Sequence, residues 1–422
     1  MHVIDRIVAA VDADAADIVE FTADLVRIPT VNPPGEAYDA CARFIGERLA
    51  REQFAVEYVV AESRPEHTTR FPRVNVIGTR RGSRPGPGVH FNGHIDVVPA
   101  GDGWTLDPFA GIVRDGRIFG RGVCDMKAGL AAAVFAARAI AQAGVDLPGL
   151  FEISGTVDEE SGGFAGVAHL ATIGRLDKSR TRYVVIPEPL NVDRICVGHR
   201  GVYWFELTTR GRIAHGSMPF LGVSAIDGMS EVLSAIRREL EPALGVRMTA
   251  MPVVPESARR ATINVNALEG GQVVDGIQTP CVADRCRAVF DRRFLIEERL
   301  PAVKEEIAAV VANALATMPD VRYELRDLMI VEPVKTPDGS PVIGALDRAI
   351  ARILGTSARL VASPGTFDQK HVTRIAGIPD CVAYGPGELE LAHQPDESCS
   401  IADLINATKV LALAALELSG GA

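Results

Sequence analysis

LFEISGTVDEESGG, residues 150–163, sets an apolar run of strand length directly before three acids, Asp158, Glu159 and Glu160. The run 150–156 reads as a buried strand and the acids as the loop at its carboxyl end. Like charges at such range raise one another's pKa and cost stability unless a cation or a solvated turn relieves them. The rest of the chain has to decide between a polar turn and a cation site.

Outward from this stretch, strands and helices alternate. Residues 89–93 (VHFNG), 182–186 (RYVVI) and 380–384 (DCVAY) read as further strands, and 127–143 (KAGLAAAVFAARAIAQA) as a helix. That alternation implies an α/β layer with a mostly parallel sheet. The middle of the chain differs. Alternation at 202–209, a helix over 224–241, alternation at 262–268, a strand at 286–294, a helix over 301–316 and a strand at 322–325 describe a small inserted α+β layer. The expected domains are residues 1–199 and 332–422 for the larger one and 200–331 for the insert.

Polar residues of unusual type recur just past the predicted strands. His94 and Asp96 stand in GHIDVVP, Asp125 in GRGVCDMKAG, Glu188 in IPEP and His393 in LAHQPDE. With Glu159 and Glu160 they share the strand-end edge where open α/β sheets bind ligands. Two histidines with several carboxylates and no thiolate form an N/O donor set suited to Zn²⁺, Co²⁺ or Mn²⁺, and one or two such ions would relieve the acid cluster. Cys124 beside Asp125 is read as a small packed residue, and His90, His169 and His371 as structural.

Composition excludes other classes. The 422 residues are 47% hydrophobic and carry 44 basic against 54 acidic side chains, a net charge of −10 without long runs of either sign, so no nucleic-acid partner is expected. No apolar stretch is long enough to span a membrane, and the N-terminal residues lack a signal-peptide pattern. Seven scattered cysteines without a C-x-x-C pair suggest reduced thiols and a cytoplasmic location.

Taken together, GHIDVVP, GRGVCDMKAG, TVDEESGG, IPEP, RIAHGSMP, SPGTFDQKH and AYGPGELELAHQPDE resemble, in order over nearly the whole chain, the M20 metallopeptidase family in its acetylornithine deacetylase and succinyl-diaminopimelate desuccinylase branch. The resemblance implies an α/β, mostly parallel-sheet, zinc-peptidase-like catalytic domain with an inserted α+β lid and dimerisation domain. It implies two divalent metal ions, Zn, Co or Mn, bridged by Asp125, with His94 and Glu188 completing one site and Glu160 and His393 the other. Asp96 would orient His94, and Glu159 would be the general base. His215 would reach a neighbouring subunit's site in a homodimer, and Asn266, Arg293, Gly365 and Thr366 would contact a small carboxylate-bearing substrate. Arg292 takes the place of Arg293 if the strand is read one residue out. The segment 273–281 departs from its relatives near the expected substrate surface.

Three functions follow. The first is deacylation of an N-acyl amino acid, or cleavage of a small peptide-like amide, by metal-activated water. The second is hydrolytic deamination of an activated aromatic amine such as an aminobenzoate, releasing ammonia. The third is a catalytically inactive scaffold, which the intact base and ligand set argues against.

Overall fold

The computed structural model describes residues 2–272 and 280–420. Two compact units result. One comprises Met1–Gly198, Thr336–Val361 and Phe367–Ala422, the other His199–Lys335 and Ala362–Thr366.

In the first unit four adjacent strands run parallel in the order Leu150–Thr156, Val89–His94, Tyr183–Pro189 and Cys381–Gly385. Antiparallel strands extend the sheet: Val74–Arg81 and then Ala55–Val60 on one side, Arg194–His199 on the other. Every residue of Val89–His94 and Leu150–Thr156 is buried, as expected of parallel strands covered on both faces. The helix Ala128–Gln142 is apolar around most of its circumference and packs against helices Ile401–Leu418, Val3–Ala13 and Ala15–Arg27. Tyr38–Arg51 lies on Val74–Arg81. The architecture is α/β, parallel at its centre.

One strand boundary departs from expectation. Glu188 lies inside the strand Tyr183–Pro189 rather than beyond it. The two prolines of IPEP read as a break, since proline brings no N–H to a ladder. A bulge between Ala383 and Gly385 on the neighbouring strand lets the pairing resume at Pro189.

The second unit is a four-stranded antiparallel sheet in the order Thr262–Gly270, Arg285–Phe294, Gly201–Arg210 and Arg322–Val331. Helices Ala225–Ala235 and Leu300–Ala314 contribute to its core. Ser224 caps the first of these through the Asp227 N–H. Along Arg285–Phe294 burial alternates, so Ala288, Phe290, Arg292 and Phe294 face the core while Asp291 and Arg293 face away. Among the described residues no helix is long and apolar enough to cross a membrane, and all seven cysteines are free thiols.

Candidate metal centre

His94 is the last residue of its strand and is 1% exposed. Asp125 sits in the tight turn Val123–Lys127, where its φ of −112° and ψ of 93° break the helical path. The turn is entered through Gly122 at φ 79°, where a Cβ would stand 2.1 Å from Val97 Cγ1, so only glycine fits. Glu159 and Glu160 open the single turn Glu159–Ser161, and His393 follows the turn Leu389–Leu391. Together these elements bring His94, Asp125 and Glu188 into one group of donor atoms, and Asp125, Glu160 and His393 into another, each spanning no more than 4.8 Å. Asp125 belongs to both.

The electrostatics are unbalanced. His94 Nε2 lies 3.0 Å from Asp125 Oδ1, and His393 Nε2 lies 3.3 Å from Asp125 Oδ2 and 3.1 Å from Glu160 Oε1. These two imidazoles are the ion-pair partners of Asp125 and Glu160, while Glu188 makes no ion pair among the described residues. Burial and the Asp125 charge push the Glu160 carboxyl up to about 7, and the same two causes push Glu188 well above its usual range. Hydrogen bonds to Asp125 and Glu160 lift His393 to about 10. Three carboxylates, Glu188 buried and Asp125 and Glu160 half-buried, against two imidazoles, all N/O donors, is the chemistry of a divalent-cation site, and the residues present fit two ions sharing Asp125.

Glu159 stands outside both groups, with its Oε1 3.2 Å from Lys370 Nζ, and both side chains are largely buried. Asp96 is fully buried. His94 Nδ1 hydrogen-bonds the Asp96 backbone carbonyl at 2.9 Å, and the carboxylate is 3.6 Å away. That carboxylate instead accepts the backbone N–H groups of Glu159 and Glu160, each at 3.1 Å, and Asn32 Nδ2 at 3.0 Å. Asp96 thus fixes the paired glutamates relative to each other. Asp158, third acid of the opening stretch, is neutralised apart from them by Arg73 at 2.9 Å and the Tyr38 hydroxyl at 2.8 Å.

The other expected site residues lie in the second unit. His215 is exposed. Its Nδ1 accepts the Ser217 backbone N–H at 3.1 Å, which leaves Nε2 as the protonated nitrogen of the neutral ring. Arg293 faces away from the core, but Asp291 already holds its guanidinium through bonds of 2.8 and 2.9 Å, so the open fork expected for a substrate carboxylate is occupied. Arg292, the alternative, is fully buried on Glu298 at 2.6 Å. Asn266 sits at a bulge in its strand and accepts from Asn264 at 2.7 Å. Arg200 donates to the Pro364 carbonyl at 3.1 and 3.2 Å, which anchors the segment carrying Gly365 and Thr366. Of the divergent segment, residues 273–279 lie outside the described residues. Cys124 is buried, donates its thiol to the Glu388 carbonyl and belongs to neither donor group.

Lys370, Asn32, Arg121 and Glu397 were not anticipated as parts of this site. Lys370 and Glu397 stand within the motifs SPGTFDQKH and LAHQPDE, but nothing local tells which atoms they meet. His90, read as structural, has an acidic neighbour: its Nδ1 lies 3.5 Å from Glu152.

The pattern of peptidase family M20/M25/M40 matches residues 90–417. A succinyl-diaminopimelate desuccinylase of Granulibacter bethesdensis is 31% identical over 92% of this chain and 94% of its own length. Human carnosine dipeptidase 1 superposes with a TM-score of 0.77 at 19% identity, covering 100% of this chain and 99% of that one. The Bacillus subtilis YXEP protein, described as a dinuclear metal-binding peptidase of the M20 family, superposes with a TM-score of 0.70 at 18% identity over 96% of this chain and 99% of its own. The chain therefore belongs to peptidase family M20/M25/M40 and is a metal-dependent amide-bond hydrolase.

Proposed function

We propose that this enzyme removes the acyl group from an N-acyl amino acid, or cleaves a small peptide-like amide, at a centre of two divalent ions, Zn, Co or Mn. The observation that carries the reading is the pair of donor groups sharing Asp125, with Glu159 beside them and outside both. His94, Asp125 and Glu188 would hold one ion, and Asp125, Glu160 and His393 the other. Relatives matching most of the chain are named for cleaving a succinyl group from a diamino acid, which favours deacylation over attack on an amino-bearing aromatic carbon.

When bound, the ions lower the pKa of water and polarise the acyl carbonyl. The remaining steps belong to the protein. Lys370 engages Glu159 Oε1, so Oε2 takes the proton of the attacking water and returns it to the departing nitrogen. Asp96 holds base and ligand in register through their backbone N–H groups. The reading extends to a homodimer in which the Nε2–H of His215 stabilises the oxyanion at the partner subunit's site. Asn266, Arg293, Gly365 and Thr366 would meet the substrate carboxylate, Arg293 after exchanging Asp291 for it.

The test is a product assay on protein loaded with Zn²⁺, Co²⁺ or Mn²⁺, offered N-succinyl and N-acetyl amino acids, dipeptides and aminobenzoates. Equal amounts of acyl carboxylate and free amine are expected. Ammonia from an aminobenzoate, without deacylation, would overturn the proposal.

A further inference from the structure

We infer that the buried pair Arg121–Glu397 is a positioning device for the metal centre, clamping the backbone of Asp125 to that of His393. Neither side chain belongs to a donor group, and both are essentially inaccessible, at 1% and 0% exposure. Glu397 Oε1 accepts the backbone N–H of Cys124 at 2.8 Å and of Asp125 at 3.1 Å. Its Oε2 meets Arg121 Nη1 at 2.6 Å. The same guanidinium donates to the carbonyls of His393 at 3.3 Å, Gln394 at 3.4 Å and Ala100 at 2.9 Å. One ion pair therefore joins the turn that carries Asp125 to the loop that carries His393.

That loop needs holding. His393 has φ 63° and Asp396 φ 54°, a region unfavourable for residues with a Cβ. Arg121 grips the loop at the carbonyls of His393 and Gln394. Asp396 ties it to the backbone N–H groups of Thr105 and Leu106 at 2.9 and 3.2 Å. A buried ion pair contributes little net stability compared with apolar packing, so its use here points to geometry. His94 does not depend on it, being fixed by its strand and by the Asp96 carbonyl. The ion held by Asp125, Glu160 and His393 should therefore feel the pair more than the ion held by His94, Asp125 and Glu188.

The inference rests on the two-ion reading, and one experiment separates the two. Metal-free full-length protein is titrated with Co²⁺ by calorimetry and by its visible d–d bands, as wild type, Glu397→Gln, Arg121→Lys and Glu152→Gln. An amide has one acceptor oxygen and can satisfy either the backbone N–H groups or Arg121, but not both. Wild type is expected to take two Co²⁺. Glu397→Gln should loosen the His393-site ion by about 10–100-fold and shift its bands, the usual range when a group supporting a ligand is lost. Glu152→Gln, which disturbs a buried carboxylate elsewhere in the sheet, should leave both steps unchanged. If Glu397→Gln does not fold, Arg121→Lys carries the test, because an ammonium cannot fork to several carbonyls. Two Co²⁺ bound by the folded variant with wild-type affinity and spectrum would overturn the clamp alone. A wild type that takes no more than one Co²⁺ would overturn both readings.

Discussion

The neighbouring strands Val89–His94 and Leu150–Thr156 carry a histidine and acid cluster at each end of the same sheet, and the two clusters are solved in opposite ways. At one end His90 and Glu152 face each other in register. There Glu152 has Arg180 at 3.0 Å, Arg175 at 3.6 Å and the Thr79 hydroxyl at 3.0 Å. Burial alone would raise the Glu152 carboxyl, yet His90 and Arg180 hold it at about 2. At the other end Asp125, Glu160 and Glu188 meet two imidazoles, and burial drives Glu160 up to about 7. A buried histidine close to a buried acid, His90 with Glu152 and His94 with Glu188, is thus common to both. What separates a structural cluster from a metal centre is whether the protein supplies the cations itself.

The largest expected effect follows directly. Chelation should reduce turnover to background, and Zn²⁺, Co²⁺ or Mn²⁺ should restore it. At an ion concentration 100 times its dissociation constant the fold should gain about 2.7 kcal/mol per site, read as a rise in melting temperature that Glu152→Gln leaves in place. Turnover that survives complete chelation would erase the contrast between the two ends. Next in size, Glu159→Ala should lower kcat by about 10²–10⁴, the usual worth of a general base, with metal content unchanged by elemental analysis. Full activity with both ions bound would remove Glu159 from its role.

How far the sequence shows this contrast depends on the kind of contact. Leu150–Thr156 is legible because a strand-length, mostly apolar run, interrupted by Glu152 and Ser154, ends in acids, and the α/β class follows from its repetition. Of the residues that gather at the centre, His94 ends its strand and Glu160 lies in the turn after Leu150–Thr156, whereas Asp125 lies within a tight turn, Glu188 inside a strand and His393 after a turn. Tyr183–Pro189 is less legible, since the proline rule cannot foresee a compensating bulge on a strand nearly 200 residues later. Least legible are the supporting groups. Lys370 reaches Glu159 across 211 positions and Arg121 reaches Glu397 across 276, and no local pattern encodes such pairings. By the same reasoning Asp96 is recognisable as a neighbour of His94, but not as the acceptor that sets the Glu159–Glu160 turn.

Lys370 offers a smaller effect on the metal end. A hydrogen bond to a charged group contributes about 1.5–3 kcal/mol, so Lys370→Met should lower kcat by about 10–100-fold by freeing the Glu159 carboxylate to rotate. Lys370→Arg should retain most of the rate, and KM should change little. Steady-state kinetics decides it: a raised KM at unchanged kcat would place Lys370 on the substrate instead of the base.

The smallest effect on catalysis is expected at the opposite end, and it carries a definite sign with pH. Glu152 is held at about 2 against an ordinary value of 4.5. A carboxyl depressed on folding binds fewer protons in the native than in the unfolded state, so its stabilisation is fully present above the unfolded value and is lost as pH falls through the folded one. At 1.36 kcal/mol per pKa unit, that shift is on the order of 3 kcal/mol. Glu152→Gln should remove this contribution, leaving stability flatter than wild type between about pH 4.5 and pH 2, while kcat near neutrality stays within about twofold because no donor group or base touches Glu152. Urea midpoints measured across that acid window compare the two proteins. If wild type and variant lose stability in parallel as the pH falls, the His90–Glu152–Arg180 cluster is not the self-neutralised counterpart of the metal centre, and the distinction between the two ends must lie in something other than charge supply.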